Sequence, residues 1–98
     1  MSPDPSFRMS IEDVFAIRGR GTVVIGQVES GTLQIGDVVK IETQGDTIET
    51  VVTGIEKFRR RLKQASEGDN VGVLLHDVAK EDVQRGDVLI GTGSRSQF

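Results

Sequence analysis

The chain has 98 residues and a net charge of −3, which is the size of one domain and provides no overall field that would attract nucleic acid. Its 13 Val, 8 Ile and 7 Thr outnumber its 5 Leu and 3 Ala, a composition that favours strands and predicts an all-β fold. Without cysteine and with one histidine, it offers no disulfide framework, no thiolate or multi-histidine metal site and no cysteine nucleophile.

Residues 1–9 are predicted to form a flexible lead-in, because Pro3 and Pro5 block regular structure. This segment lacks the basic start and apolar stretch of a signal peptide, and no apolar run approaches the roughly 18 residues that span a bilayer. We therefore expect a cytoplasmic protein. A first strand is predicted over residues 10–17, followed by a turn at 18–21 where glycines can take positive φ.

Further strands alternate with glycine turns along the rest of the chain. They are predicted over residues 22–29, 32–35, 38–43, 48–58, 70–76 and 88–90. Between them we predict a hairpin turn at 44–46, a polar connection over 59–69 and one helical turn within 77–85. Residues 92–98 are expected to be a polar tail. Six or more short strands in so few residues favour a small closed barrel over 10–91, because closure removes exposed edges.

Nucleotide-binding motifs are incomplete or missing. Gly19-Arg20-Gly21 is not a dinucleotide fingerprint because Val24 stands where the third glycine belongs, and there is no Gly-x4-Gly-Lys-Ser/Thr loop. Asp69-x-x-Gly72 has the form of a GTPase switch motif, but it stands alone before an apolar strand. The sequence shows no Ser or Cys catalytic signature to go with His76, which fits a solvent-facing strand position. We therefore expect no GTP binding, no cofactor and no enzymatic activity.

A basic run lies in the predicted polar connection. Five of its seven residues are cationic, namely Lys57, Arg59, Arg60, Arg61 and Lys63. One interpretation is a solvated loop. The other is a local contact with phosphate, helped by the nearby aromatic ring of Phe58.

Alternation along two predicted strands places several side chains on the outside of the barrel. Asp13, Phe15 and Ile17 share one face, because alternate residues of a strand point the same way. Asn70 and Leu74 are out of phase with three apolar neighbours, Val71, Val73 and Leu75. Outward apolar side chains beside a carboxylate and an arginine would form a base-stacking site. The alternative is that Phe15 and Ile17 are core residues.

Several motifs follow one another at a single set of spacings: Ile11-Glu-Asp-Val-Phe15, Gly19-Arg-Gly-Thr-Val-Val24, Gly31-x4-Gly36-Asp37, Gly54-x-Glu56-x-Phe58-Arg59, Asn70-Val-Gly-Val-Leu-Leu75 and Arg85-Gly86. Together they resemble domain II of elongation factor Tu, the β-barrel second domain of translational GTPases, over about residues 7–91. The resemblance implies a six-stranded Greek-key barrel. The chain holds neither the GTPase domain nor the third barrel of the factor, so it is either an excised fragment or a natural stand-alone copy. The tail carries no purification tag, which favours the stand-alone copy and leaves both open.

The resemblance also implies a binding site, because this domain holds the 3′ end of aminoacyl-tRNA in the factor. The pocket for the terminal adenosine would consist of Ile17, Gly19, Val23, Glu56 and Leu74. Contacts with the aminoacyl group and its ester would come from Glu12, Asp13, Phe15, Phe58, Arg59 and Asn70. The turn around residues 19–21 faces small-subunit ribosomal RNA in the family. This turn and the basic run together supply the candidate RNA contacts, which are Arg18, Arg20, Arg60, Arg61 and Lys63.

The chain departs from the family pattern in its charges. Gln27 and Ser30 stand where the family usually has Arg, whereas Arg61 replaces an apolar residue and Lys63 an acidic one. We expect a monomer that binds the aminoacyl-tRNA 3′ end weakly, with ribosomal RNA or a GTPase domain as further partners and no membrane. The rival hypothesis is a module that docks onto protein or ribosomal RNA and leaves the pocket unused.

Overall fold

The computed structural model describes residues 3–96, most of which lie in β-strands. The strands are, in chain order, β1 (Arg8–Ser10), β2 (Asp13–Ile17), β3 (Gly21–Ser30), β4 (Thr32–Gln34), β5 (Asp37–Thr43), β6 (Asp46–Lys57), β7 (Arg60–Leu62), β8 (Gln64–Ser66), β9 (Asn70–Leu75) and β10 (Val88–Arg95). A single 3₁₀ turn, η1 (Lys80–Asp82), lies between β9 and β10, within the segment predicted to hold one helical turn. In this part of the chain, no helix is long and apolar enough to cross a membrane.

Six antiparallel strands close into a barrel in the order β1-β10-β5-β6-β9-β3. The short strand β1 completes the ring, since Met9 pairs with Leu89 of β10 on one side and with Val28 of β3 on the other. Closure gives each ring strand a hydrogen-bonded neighbour on both sides. The prediction of an all-β, closed six-stranded barrel is confirmed.

The barrel interior is filled by the alternate apolar residues of these strands. The largest fully buried side chains are Phe7, Met9, Ile11, Leu33, Ile41, Ile55, Leu75, Leu89, Val24, Val28, Val39 and Val52. Branched side chains dominate this set because they pack well on a pleated surface. The buried hydroxyl of Thr22 donates to the carbonyl oxygen of Val78, which ties β3 to the segment that follows β9.

The ordered barrel extends beyond the limits predicted from the sequence. Phe7 and Met9 are buried, so residues 7–9 belong to the barrel although they follow two prolines. The predicted first strand is two strands, because the N–H of Ile11 donates to Asp87 and the chain leaves β1 there. At the other end β10 continues to Arg95, within the expected tail. Residues 1–2 and 97–98 of the expected lead-in and tail lie outside the described residues.

The polar connection predicted over residues 59–69 holds two short strands instead. β7 continues β6 through a tight hairpin, and β8 pairs with β4. The β4–β8 pair buries Leu33 and Ala65, which stand opposite each other. Ala65 is the one apolar residue of β8, and one residue cannot show the alternation that indicates a strand. The sequence alone therefore does not predict this pairing.

Candidate nucleic-acid interface

Two strands outside the ring widen one side of the barrel into a sheet with the order β7-β6-β9-β3-β2. We call its solvent side the outer face. Two rows of outward residues cross it in register. One row consists of Phe15, Val23, Leu74 and Gly54, and the next consists of Asp13, Ile25, Gly72, Glu56 and Arg61.

The apolar row lies on the surface and not in the core. Phe15 is 47% exposed although its neighbour Val14 is buried. Val23, Leu74 and Ile17 are half-buried, with one side open to the outer face. The predicted outward orientation of these side chains is therefore confirmed, and the alternative that Phe15 and Ile17 belong to the core is wrong. The strand period decides this outcome, because Val14 takes the inward position.

Glycines leave a flat floor beside this row. A Cβ atom on Gly72 would lie 3.2 Å from Cγ1 of Val23, and one on Gly54 would lie 3.4 Å from Cβ of Leu74. Without these side chains, a planar group can approach the backbone between the two rows. A shallow depression of about 80 Å³ lies at the β6 edge of this floor; Gly54, Glu56, Arg20 and Ile35 are among its lining residues, and Val23 and Leu74 are not.

The carboxylate of Glu56 stands at the edge of this depression. Its Oε1 lies 3.6 Å from Nη2 of Arg20, and both side chains are about two-fifths exposed. The β2–β3 turn that carries Arg20 depends on positive φ values of 76° at Gly19 and 110° at Gly21. An exposed ion pair of this kind contributes at most about 1 kcal/mol. The Glu56 carboxylate can therefore rearrange at little cost when a ligand arrives.

A strained hairpin tip borders the outer face on the other side. Phe58 and Arg59 form the two-residue loop between β6 and β7, with φ values of 51° and 64°, although neither is glycine. Phe58 is 86% exposed. An arginine and an exposed aromatic ring held in this costly conformation are unusual, and such strain is more frequent at functional sites.

An ion pair fixes the hairpin tip to the start of β9. Nζ of Lys57 lies 3.0 Å from Oδ1 of Asp69 and 5.8 Å from the ring centre of Phe58. The N–H of Ser66, followed by the ammonium group of Lys57, holds the pKa of the Asp69 carboxyl below its usual value. Lys57 is thus engaged within the protein, which leaves the other cations of the basic run to face solvent.

The structure distributes the predicted site residues over the whole outer face. The adenosine set (Ile17, Gly19, Val23, Glu56, Leu74) lies across the middle of the sheet and at the β2–β3 turn. Glu12 and Asp13 lie at the start of β2, and Asn70 lies at the start of β9 opposite Gln27. Phe58 and Arg59 lie at the far side, three strand spacings or roughly 14 Å from β2. The residues expected to contact the aminoacyl group and its ester therefore lie mostly around the periphery of the outer face.

The basic run does not act as one unit. Arg60 pairs in register with Lys57, whereas Arg61 stands opposite Glu56 on the outer face. Lys63 lies beyond, beside Ile35, Gln34, Gln64 and Arg95 around a second depression. Sequence reasoning missed the residues of β4 and β10 in this group, because they are distant in the sequence and carry no motif. In residues 3–96, no three His, Asp or Glu side chains are grouped as metal ligands would be.

The chain is thus a small closed barrel whose outer face carries an outward apolar row, a glycine floor and flanking charges. The family model for elongation factor Tu domain 2 matches residues 21–90. The chain belongs to this family of translation-factor barrel domains, and the resemblance found in its motifs is confirmed. The match runs from β3 to the first residues of β10 and includes the hairpin tip, whereas β2 with Phe15 precedes it.

Proposed function

We propose that this domain is a non-enzymatic module of translation whose outer face binds the aminoacylated 3′ adenosine of tRNA. The observation that carries the proposal is the exposed row of Phe15, Val23 and Leu74 beside the glycine floor. A row of apolar side chains on a solvated sheet is costly unless it meets a ligand. A purine ring has the flat apolar faces that such a site accommodates.

The adenosine would lie between the apolar row and Glu56. The missing side chains at Gly54 and Gly72 let a ring reach the backbone, and the Glu56 carboxylate stands beside it. Glu56 is held only by an exposed pair with Arg20, so it can move over the ring. This arrangement supports the pocket that the family resemblance implies.

The aminoacyl end would occupy the frame formed by β2, β9 and the hairpin tip. Arg59 presents a planar donor that suits ester or phosphate oxygens. Asp13 and Asn70 are exposed and supply oxygens for a free α-amino group. Phe58, almost fully exposed, offers an apolar surface to the amino-acid side chain.

The affinity of the isolated domain follows from a short sum. Stacking of one base contributes about 1–3 kcal/mol, and each polar contact adds roughly 1 kcal/mol. Association itself costs several kcal/mol. The remainder is small, so we expect a binding free energy no more favourable than about −4 kcal/mol, which corresponds to a Kd of about 1 mM or weaker. Tight binding of a whole aminoacyl-tRNA would therefore require a further partner, such as a GTPase domain.

The test is an NMR titration with a stable 3′-aminoacyl-adenosine mimic at millimolar concentration. We expect the amide signals of one contiguous patch to shift, namely those of Phe15, Ile17, Gly19, Glu56, Arg59, Asn70 and Leu74. Glu56→Ala should reduce these shifts without unfolding the protein. Glu49→Ala is the matched control. Glu49 is an exposed carboxylate of the same strand, but it stands opposite Lys40 of β5 and away from the outer face. Absent or scattered shifts would favour the docking module with an unused pocket.

A further inference from the structure

The hairpin tip at the edge of the outer face is attached to the barrel by few contacts. β7 pairs with β6 and with no other strand of the described residues. None of the guanidinium groups of Arg59, Arg60 and Arg61 lies within 4 Å of a carboxylate of residues 3–96. The loop residues Phe58 and Arg59 also hold positive φ values, which side chains rarely adopt. A short edge strand with a strained loop opens locally unless a further contact holds it.

Lys57 supplies such a contact. It is the last residue of β6, and its Nζ lies 3.0 Å from Oδ1 of Asp69 and 5.8 Å from the ring centre of Phe58. Each of the two charged side chains is 32% exposed, so water screens this pair less than it screens a fully exposed one. The ammonium group therefore interacts with the aromatic ring of the tip and with an anion outside the hairpin at the same time.

Asp69 belongs to a turn that several hydrogen bonds fix to β3. Its Oδ2 accepts the N–H of Ser66, and its own N–H donates to the carbonyl oxygen of Ser66. The N–H of Gly68 donates to the carbonyl oxygen of Val28, and the N–H of Val28 donates to the carbonyl oxygen of Asp69. The Ser66 N–H, followed by the Lys57 ammonium group, lowers the pKa of the Asp69 carboxyl, which keeps it ionised at neutral pH. Asp69 is therefore a fixed anion, and its Oδ1 receives Lys57.

The ion pair joins two parts of the proposed aminoacyl site. Lys57 directly precedes Phe58 and Arg59 in the chain. Asp69 directly precedes Asn70 at the start of β9. The pair therefore fixes how far the hairpin tip lies from the start of β9. The strands in the middle of the outer face need no such tie, because β3 and β9 each have a hydrogen-bonded neighbour on both sides.

We propose that Lys57 and Asp69 are positioning residues, whose ion pair holds the hairpin tip in the conformation that meets the aminoacyl group and its ester. This inference rests on the proposed function, because it concerns the same outer face. The pair acts without touching the ligand, by reducing the conformational freedom that the tip loses on binding. It therefore favours an aminoacylated adenosine over free adenosine, since only the aminoacylated one reaches the tip.

The test compares two ligands in NMR titrations of the whole chain, the stable 3′-aminoacyl-adenosine mimic and free adenosine. Lys57→Gln removes the ammonium group and keeps a polar side chain. It should weaken binding of the mimic about threefold or more, because the ligand must then order the tip. Binding of free adenosine should change by less than about 1.5-fold, since this ligand stays in the middle of the outer face. Lys57→Arg keeps a cation and should restore most of the affinity for the mimic.

A double-mutant cycle shows whether the two residues act as one unit. Asp69→Asn should weaken binding of the mimic to the same degree as Lys57→Gln. The double variant K57Q/D69N should then bind no more weakly than either single variant, because the same interaction is lost in all three. Additive losses would overturn the proposal, since each side chain would then act by itself.

The matched control is Arg8→Gln, which breaks the ion pair of Arg8 with Glu29 at 3.1 Å. That pair joins β1 to β3, and β1 is not part of the outer face. The control should leave both affinities unchanged. The backbone amide order parameters of Phe58 and Arg59 should fall in Lys57→Gln and stay unchanged in Lys57→Arg and Arg8→Gln. Order parameters that do not fall in Lys57→Gln would contradict the positioning role, whatever happens to the thermal stability of the variant.

The positioning role and the proposed function can fail separately. If the mimic binds but Lys57→Gln leaves the ratio of the two affinities unchanged, the positioning role is wrong and the proposed function stands. Equal weakening of the mimic and of free adenosine would also overturn the positioning role, because the effect would then reach the whole outer face. If the unaltered protein responds to neither ligand, the proposed function is refuted and the positioning role with it.

Discussion

The strained hairpin tip allows a prediction in which stability and binding change in opposite directions. Phe58 and Arg59 both have positive φ, as in a type I′ turn, for which Asn-Gly is the preferred sequence. We therefore expect the double substitution Phe58→Asn and Arg59→Gly to stabilise the fold. The same change removes the exposed ring and the guanidinium group that we place at the aminoacyl end of the ligand.

The size of the stabilisation follows from the conformations of the two residues. A side chain in the left-handed region costs about 1–2 kcal/mol at Arg59, and Asn tolerates that region better than Phe. Glycine at this position lowers the stability by roughly 0.5–1 kcal/mol, because the unfolded chain gains conformational entropy. Loss of the cation–π contact from Lys57 removes about 0.5 kcal/mol more. These terms nearly cancel at Arg59, so with the gain from Phe58→Asn the net stabilisation is up to about 1 kcal/mol, or a rise in Tm of up to about 4–8 °C for a domain of this size.

The assay is urea and thermal unfolding followed by circular dichroism. The β5–β6 hairpin offers a control turn, because Gln44 and Gly45 have φ values of 30° and 83° and glycine already occupies the second position. Gln44→Asn should therefore change the free energy of unfolding by less than about 0.5 kcal/mol. An unchanged or lower stability in the double variant would refute the strain argument. Stabilisation with undiminished binding of the mimic would show that the tip is no part of the site.

Three further predictions concern the scaffold that carries the outer face. Gly26→Ala should destabilise the barrel by about 2 kcal/mol or more in urea unfolding, because its Cβ would lie 2.3 Å from the backbone oxygen of Ser10; a cost under about 0.5 kcal/mol would show that β1 moves aside. Thr22→Val should cost about 1–2 kcal/mol by leaving the buried carbonyl of Val78 unpaired, and an unchanged free energy of unfolding would contradict this bond. The pKa of the Asp69 carboxyl is lowered in the folded state, so its contribution to stability is complete above its unfolded pKa near 3.8 and is lost as the pH falls through the lower folded value. Asp69→Asn should therefore flatten the acid decline of Tm below about pH 4. An unaltered pH profile of Tm would refute this linkage.

Local patterns in this sequence predict much of the fold. The strand period places Asp13, Phe15 and Ile17 on one face and Val14 on the other, because neighbouring residues of a strand must face opposite sides. Gln44 and Gly45 form the predicted hairpin turn, since glycine accepts the positive φ that the turn requires. The sequence therefore predicts which residues of the candidate site share a face, whereas the outward position of Phe15 and Ile17 is decided by the structure, because the same pattern also fits core residues.

Other features depend on partners that are distant in the chain, and only the tertiary structure decides them. Phe7 and Met9 are buried because β1 fills the gap between β3 and β10, and no local pattern near the two prolines predicts that role. Arg95 forms an ion pair with the buried Asp37 because the end of β10 pairs with the start of β5. The sequence shows which residues of a strand share a side, because alternation is a property of a single strand. Which residues meet across the surface is set by register and barrel closure, which involve several strands at once.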